Sequence, residues 1–353
     1  MKDEIGVLHV NMTTDVLAIT TENVLPYLAR RGLAGETETG EVRELGGGVS
    51  NIVLLVEWRD RPERRWVVKQ SLEKLRVQDD WRSERNRIYR EAEAIQALRP
   101  VLMGASLPEV IHIDRENFLY VMTAAPVGSV AWKESLLAGE VDLRVARQAG
   151  TLLGRMINAS RADTSLRERF ADRTVFDQLR VDPYYRTTAK RHPEVRGPIV
   201  QLVANSWNVQ TALVHGDYSP KNMLVRDGNI FLIDFEVIHW GDPAFDAAFM
   251  LNHLLLKTLC QPRFAARYLD AVREFWKALT SEARDTASRG FEALTLRHLG
   301  AQMLARIDGK SPVEYIREEE TKERVRGVAK RILLEQPQRL VAVIEIVRTA
   351  VLP

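Results

Sequence analysis

The sequence predicts an α+β protein of two lobes, a small β-rich lobe over residues 1–124 and a large, mostly helical lobe over residues 125–353. In the first lobe, short β-branched and apolar runs predict strands at 52–58, 66–69 and 118–122. After Pro126, apolar residues recur mainly with helical spacing. In this second part of the chain, strand-like runs occur only around a polar loop and the hairpin that follows it.

The helical signals follow apolar stripes along the chain. In the small lobe, a helix near 23–30 lies in an extension over residues 1–40 that we place on the outside of the lobe. A second, stronger helix over 82–98 has Ile88, Ala92 and Ile95 on one face. Helices of the large lobe are predicted at 141–159, 198–205, 245–259, 263–279, 291–307, 312–334 and 338–349.

Composition narrows the class of protein. The 353 residues are 45% hydrophobic and 28% charged, as in ordinary globular proteins. The net charge of +2 gives no reason to expect a nucleic-acid partner. With Cys260 as the single cysteine, and no apolar run long enough to span a bilayer, we expect a cytoplasmic protein without membrane contact, as a monomer or homodimer.

The polar loop carries the main functional signal. It begins at Asp217 and reaches Asn222 after four intervening residues, and a hairpin turn at 226–229 then leads through an apolar run to Asp234. Kinases use this pattern: the first Asp meets the acceptor hydroxyl, the Asn holds metal and the later Asp links metal to phosphates. The sequence therefore predicts phosphoryl transfer with Asp217 as catalytic base and Asn222 and Asp234 as metal ligands.

A glycine-rich turn precedes the first strong strand. Gly46, Gly47 and Gly48 would let the backbone approach phosphate oxygens, with Ser50 and Asn51 following as donors. No Gly-Lys-Ser/Thr follows, so the turn is not a Walker A loop. Because glycine-rich hairpins are common, this turn is a weak indication by itself.

Lys69 strengthens the prediction of a nucleotide site. It ends a strand-like run, where kinases place the lysine that contacts nucleotide phosphates and is held by a helix glutamate. Glu84 and Glu91 lie seven residues apart and share a helix face. We favour Glu91, because its register turns the apolar stripe toward the lobe, and keep Glu84 as the alternative.

The strand that ends at Met122 leads into the predicted hinge. An adenine ring there would hydrogen-bond to main-chain atoms from Met122 to Ala124. Because main-chain groups are common to all residues, the side chains at these positions say little about the ligand.

Taken together, these motifs resemble the superfamily of aminoglycoside phosphotransferases and choline kinases, which are small-molecule relatives of protein kinases. The resemblance extends from Gly46 to about Tyr315. Its specific parts are Gly47, Gly48, Val49, Ser50, Asn51, Lys69, His215, Gly216, Asp217, Asn222, Asp234, Asp242, Pro243 and Asp246.

The resemblance implies a bilobal protein-kinase-like fold and ATP- and Mg²⁺-dependent phosphorylation of a small hydroxylated acceptor. Asp234, Phe235 and Glu236 together are similar to the pattern of choline, ethanolamine and methylthioribose kinases, in which Glu236 would support a second metal ion. Asn222 departs from methylthioribose kinases, which typically have serine there, and no match to the aromatic choline pocket is found. His215 and Asp246 are expected to brace the loop.

The charge of the large lobe, rather than a sequence motif, indicates which kind of acceptor the protein would bind. Residues 141–196 carry twelve Lys and Arg against seven Asp and Glu, which suits a neutral or anionic metabolite better than a polycationic antibiotic. Candidate acceptor groups lie in a probable loop at 176–186 and among Arg297, His298, Arg306 and Asp308. An antibiotic kinase and a non-catalytic, nucleotide-binding pseudokinase scaffold remain the alternatives.

Overall fold

The computed structural model describes residues 16–46, 50–76, 82–102 and 106–351. Its N-terminal part contains an antiparallel five-stranded sheet in the order β1-β2-β3-β5-β4. The strands are β1 Gly40–Glu44, β2 Asn51–Trp58, β3 Arg65–Ser71, β4 Val110–Asp114 and β5 Leu119–Thr123. The three predicted strands are confirmed as β2, β3 and β5, whereas the short, partly exposed sequences of β1 and β4 did not reveal these two strands.

The two faces of this sheet pack into two different hydrophobic cores, because successive side chains along a strand point to opposite faces. Leu54, Val56 and Val68 face helix α1 (Val24–Arg30) in a separate apolar cluster. This arrangement confirms the helix expected on the outside of the small lobe. Residues of the other face, such as Leu55 and Val67, join the main core, which continues into the helical part.

Helix α2 (Arg87–Leu98) packs against that inner face through Ile88, Ala92 and Ile95, as the apolar stripe predicted. The helix begins at Arg87 rather than at residue 82. Arg82 instead forms an isolated bridge with Lys74, and residues 83–86 lead into the helix without being part of it.

The helical part is built around α9 (Ala244–Cys260), whose residues are buried from its first turn to Leu259. The neighbouring long helices are α4 Leu143–Ala162, α8 Arg196–Asn208, α10 Ala265–Glu282, α11 Arg289–Asp308, α12 Glu319–Glu335 and α13 Leu340–Val351. The predicted helix at 312–334 starts only at Glu319. Among the described residues, no helix is both long and apolar enough to cross a membrane.

Short strands frame the polar loop. Strand β7 (Ala212–Val214) pairs with β10 (His239–Gly241), and β8 (Met223–Arg226) pairs with β6 (Val130–Ala131) and β9 (Asn229–Leu232). Asp227 and Gly228 form the two-residue turn between β8 and β9, with φ of 51° and 77°. Positive φ at both turn positions is the tight hairpin geometry that Asp-Gly favours.

The segment 176–186, expected as a loop, is helical. Helix α6 (Thr174–Phe176) continues into widened π-type turns over Asp177–Arg186 and then into α7 (Thr187–Arg191). Pro183 lies inside these turns. Because proline lacks an N–H and usually interrupts a helix, its presence concealed the helix from sequence reasoning. The shorter helices α3 (Trp132–Leu137) and α5 (Ser165–Arg169) complete the set.

Candidate active site

The polar loop is held by a buried carboxylate. The backbone N–H groups of His215 and Gly216 donate to Asp246 Oδ2 and Oδ1 at 2.6 and 2.9 Å. Asp246 lies in the first turn of α9 and is fully buried, and burial raises the pKa of its carboxyl to about 7. Each carboxylate oxygen thus accepts one backbone hydrogen bond, and Asp246 holds the start of the loop in place.

His215 braces the same loop from inside. Its Nδ1 accepts the Asp217 N–H at 3.2 Å, and its Nε2 lies 3.3 Å from the Ile233 carbonyl oxygen. Burial lowers the pKa of the His215 imidazole to about 4, so the ring is neutral near pH 7. A neutral ring that accepts at Nδ1 and donates at Nε2 links the start of the loop to the returning strand, the architectural role expected for it.

Gly216 is the one position of the loop where a side chain cannot be placed. Its φ is +77°, and a Cβ would lie 2.7 Å from Val237 Cγ1 and 2.9 Å from the Val237 carbonyl oxygen. We expect Gly216→Ala to lower the free energy of unfolding by about 2–5 kcal/mol, through left-handed strain and overpacking together. Denaturant unfolding of the purified variant measures the effect.

Gly228 provides the matched control. It has the same φ of +77°, but a Cβ there would meet only the Arg144 side chain, at 3.6 Å. Gly228→Ala therefore carries the backbone strain without the collision, about 1–2 kcal/mol. Equal losses in the two variants would mean that the approach of Val237 to the loop does not matter.

Asp217 is buried and lies between two cations. Its Oδ2 is 2.8 Å from Lys221 Nζ and 3.2 Å from Arg180 Nη2. Burial favours protonation, but Lys221 and Arg180 outweigh it and lower the pKa of Asp217 below its ordinary value. The carboxylate is thus charged near neutral pH, and it is held in position from two sides.

Arg180 is a site residue that sequence reasoning did not single out. It projects from the π-type turns, is 8% exposed, and also donates from Nε to the Gly216 carbonyl oxygen at 2.6 Å. The segment 176–186 had been marked as a candidate, but its widened helical turns determine which arginine faces Asp217. No local pattern distinguishes Arg180 from Arg186, which pairs with Asp177 on the surface.

Asn222 and Asp234 lie on the two sides of the hairpin base. Asn222 donates from Nδ2 to the Asp217 carbonyl oxygen at 2.9 Å, so its side-chain oxygen is the atom left for a cation. Asp234 has a φ of +72°, and its side chain is 23% exposed. Left-handed backbone at a residue other than glycine is uncommon and concentrates at functional sites.

Lys69 joins the two lobes through carboxylates. Its Nζ lies 2.8 Å from Glu91 and 2.6 Å from Asp234 Oδ1. Burial alone would lower the pKa of Lys69, but the charges of Asp234 and Glu91 raise it above its ordinary value. Glu91 is thus the helix partner of Lys69, whereas Glu84 is exposed and precedes the first residue of α2.

Glu236 has partners that differ from the metal role implied by the resemblance. Its Oε1 accepts from Ser50 Oγ at 2.7 Å, and its Oε2 accepts from Asn51 Nδ2 at 2.8 Å and from Arg87 Nε at 3.2 Å. Both carboxylate oxygens are therefore already hydrogen-bonded. Ser50 and Asn51, expected as phosphate donors, are used in the same contacts. This connection between the lobes includes Arg87, a buried arginine that the sequence analysis missed.

The other residues predicted to bind the nucleotide lie in the glycine-rich turn and at the hinge. Gly47 and Gly48 lie outside the described residues, and Gly46 precedes them at the end of a described segment. Met122 lies in β5, where it pairs with Val67. The Ala124 N–H donates to the Arg65 carbonyl oxygen at 2.9 Å. The Ala124 amide is therefore already hydrogen-bonded within the protein.

The four residues marked on and after α11 do not form one site. His298 Nε2 lies 3.2 Å from Asp242, and Asp308 forms two 2.8 Å contacts with Arg326. Arg306 instead donates to the Tyr184 hydroxyl at 2.9 Å. Arg297 is partly buried, and its Nε has no hydrogen-bond partner among the residues that the structure describes.

Protein side chains would provide only some of the ligands of a metal ion at this site. Over the described ranges, no group of three or more His, Cys, Asp or Glu side chains is arranged to hold a metal. Asn222 and Asp234 provide one amide oxygen and one partly exposed carboxylate. Such a pair of oxygen donors suits Mg²⁺, which usually keeps waters and substrate phosphates as its other ligands.

Comparisons with known proteins show which family this chain is similar to. The model of the APH phosphotransferase enzyme family matches residues 41–286. Methylthioribose kinase 1 of Oryza sativa is 26% identical over 264 residues, which cover 67% of this chain and 60% of that protein. Methylthioribose kinase of Escherichia coli is 24% identical over 290 residues, which cover 71% and 68%. The chain thus spans less than two thirds of the rice protein.

Among solved structures, an amicoumacin kinase in complex with AMP-PNP, Ca²⁺ and Ami has a TM-score of 0.57 at 16% identity. The similarity covers 90% of this chain and 95% of that one. At this identity the likeness concerns the fold, and it confirms the expected kinase-like arrangement of a sheet-containing N-terminal part and a helical C-terminal part.

Proposed function

Because the chain belongs to the APH phosphotransferase enzyme family, we propose that it transfers the γ-phosphoryl group of ATP to a hydroxyl of a small metabolite. The observation that carries this proposal is Asp217, a buried carboxylate at the start of a clamped loop and close to the hairpin that returns as Asp234. A scaffold that only binds nucleotide would not need a charged aspartate between two cations.

Asp217 would orient the acceptor hydroxyl and accept its proton. A carboxylate with a lowered pKa is a weak base, so its main contribution is to position the attacking oxygen, and the proton passes to it late in transfer. Arg180 and Lys221 fix the direction of this carboxylate. The neutral His215 ring does not compete for the proton.

Asn222 and Asp234 would hold Mg²⁺ against the phosphates. When bound, the ion neutralises charge that develops on the phosphoryl oxygens. Glu236 is left out of this proposed ligand set, because Ser50, Asn51 and Arg87 already occupy its oxygens.

Lys69 would bind the nucleotide phosphates, with Glu91 keeping the ammonium group in place. We expect Lys69→Met to raise the ATP concentration needed for half-maximal turnover and to lower the rate. It also leaves Glu91 buried without a cation, which costs about 3–5 kcal/mol of stability. Initial rates over an ATP series and a denaturant curve measure the two effects.

The double variant Lys69→Met with Glu91→Gln separates these effects, because it removes the orphaned charge together with the lysine. Its stability should recover most of the loss, while its use of ATP stays impaired. Lys277→Met, on an exposed face of α10, serves as the control. Parent-like use of ATP by the stable double variant would show that Lys69 does not bind the nucleotide.

The acceptor class is tested with an acceptor panel and Mg²⁺-ATP. Because several relatives are named methylthioribose kinase, methylthioribose and other sugars are tested first. Choline, ethanolamine and amino alcohols follow, and kanamycin is included as the polycationic antibiotic. Formation of ADP that depends on an acceptor supports the proposal. Efficient phosphorylation of kanamycin alone would favour the antibiotic kinase, and nucleotide binding without transfer to any acceptor would favour the pseudokinase.

A further inference from the structure

A group of basic side chains lies among the helices beyond Asp217. It consists of His253 and Lys257 on α9 and Arg306 on α11, and we call these three residues the basic cluster. Lys133 on α3 lies at its edge and is paired with Glu314. None of the three members forms an ion pair within the part of the chain that the structure describes.

Lys257 is the least expected member. It is fully buried, and its ammonium group donates only to the His253 carbonyl oxygen, at 3.2 Å, and lies 5.0 Å above the Tyr315 ring. A buried charge without a counterion is costly, and proteins usually pair such groups. Burial and the charge of Lys133 lower the pKa of Lys257 to about 7, which reflects the same cost.

Other polar groups around Lys257 also lack partners. The Tyr315 hydroxyl and Arg306 Nε are buried atoms with no hydrogen-bond partner in the described residues. His253 is 7% exposed, and burial together with the charges of Arg306 and Lys257 lowers the pKa of its imidazole well below the ordinary value, so the ring is neutral near pH 7. Buried polar groups are normally satisfied, so the two unsatisfied buried donors near Lys257, together with the unpaired lysine itself, point to a ligand that accepts hydrogen bonds.

A continuous set of contacts leads from this cluster to Asp217. Arg180, which pairs with Asp217, lies 5.6 Å from the Tyr184 ring and 5.8 Å from the Phe249 ring. Phe249 contacts the His253 ring at 5.2 Å between centroids, and the Tyr184 hydroxyl accepts from Arg306 at 2.9 Å. The cluster is therefore connected to Asp217 through Arg180, Tyr184 and Phe249.

We propose that the basic cluster, with the Tyr315 hydroxyl, binds an anionic group of the acceptor, so that the natural substrate is a hydroxylated carboxylate or phosphate ester. This inference rests on the proposed phosphotransferase function and adds the charge of its substrate. The carboxylate or phosphate would accept hydrogen bonds from Lys257 and Arg306 while the hydroxyl end of the molecule reaches Asp217.

The test uses matched acceptors that differ in one terminal group, which is a carboxylate, a hydroxyl or a phosphate ester. Gluconate, glucitol and glucitol 6-phosphate are supplied with Mg²⁺-ATP, and kcat/KM is measured for each. We expect the parent to prefer an anionic acceptor over glucitol by at least about 30-fold, the effect of pairing one buried charge. The better of the two anions identifies carboxylate or phosphate as the group recognised.

Lys257→Met should remove this preference, so that the ratio of kcat/KM for the anionic acceptor to kcat/KM for glucitol falls to about one, and Lys277→Met should leave that ratio unchanged. A purely structural lysine would behave differently, because replacing it would lower the midpoint of thermal unfolding. Here that midpoint should stay equal or rise, since the replacement removes an unpaired buried charge. Tyr315→Phe should weaken the preference without abolishing it.

Equal use of gluconate, glucitol and the phosphate ester by the parent would overturn the inference and leave the proposed kinase function standing. If no member is phosphorylated, thermal shifts with saturating Mg²⁺-ADP decide instead. Stabilisation by gluconate or the phosphate ester, but not by glucitol, that is lost in Lys257→Met supports the anion site. Equal or absent shifts contradict it, and failure of transfer to every acceptor of the wider panel counts against the proposed function instead.

Discussion

Asp217→Asn is expected to slow phosphoryl transfer by roughly 10²–10⁴-fold, the usual contribution of a positioned acid–base group. Asparagine keeps an oxygen toward Lys221 and Arg180 but cannot take the proton of the acceptor hydroxyl. Binding of Mg²⁺-ATP should remain nearly unchanged, because Asp217 faces the acceptor. Single-turnover rates and calorimetric titration of nucleotide measure the two quantities.

Asp227→Asn is the matched control for this prediction. Asp227 is exposed in the turn of the same hairpin, with a φ of 51° that asparagine also tolerates. It should keep the parent rate. A parent-like rate in Asp217→Asn, or loss of Mg²⁺-ATP binding with an intact rate, would require another residue as the base.

Asp234→Asn is expected to act on the metal rather than on the hydroxyl. Replacing the carboxylate should raise the Mg²⁺ concentration needed for half-maximal turnover by at least about tenfold and weaken nucleotide binding, because a neutral amide is a poor Mg²⁺ ligand. The positive φ should be tolerated, since asparagine adopts it readily. Titrations of Mg²⁺ at fixed ATP, and of ATP at fixed Mg²⁺, measure the change.

Excess Mg²⁺ should restore part of the rate in Asp234→Asn and none in Asp217→Asn. This difference separates a weakened metal site from a lost base, and the folded fraction of each variant is checked by thermal unfolding. If high Mg²⁺ rescued Asp217→Asn while Asp234→Asn lost only its rate, the two roles would be exchanged.

The elements of the fold and the functional loop could be predicted because their signals are local. The β-branched and apolar runs of β2 and β3 and the apolar stripe of α2 indicate which segments form these elements. Asp217, Asn222 and Asp234 were marked by spacing along one short segment. Most of the predicted strands and helices form, and the assignment of chemical roles to these three residues remains a proposal.

The parts that could not be predicted depend on contacts between distant residues. Glu236 meets Ser50 and Asn51, which lie 186 and 185 positions away in the sequence. Arg180 faces Asp217 only because π-type turns replace the expected loop around Pro183. Lys257 resembles any helix lysine in the sequence, and its burial without a counterion appears only once α9 is packed among its neighbours.

We propose that this chain moves a phosphoryl group from ATP to an acceptor hydroxyl at Asp217. Phosphorus NMR can follow ADP and the phosphorylated acceptor together, for the parent and Asp217→Asn at saturating Mg²⁺. We expect equal amounts of both products from the parent, only when an acceptor is present, and a rate at least about 100-fold lower from the variant. ADP formed without an acceptor, or at equal rates by both proteins, would contradict it.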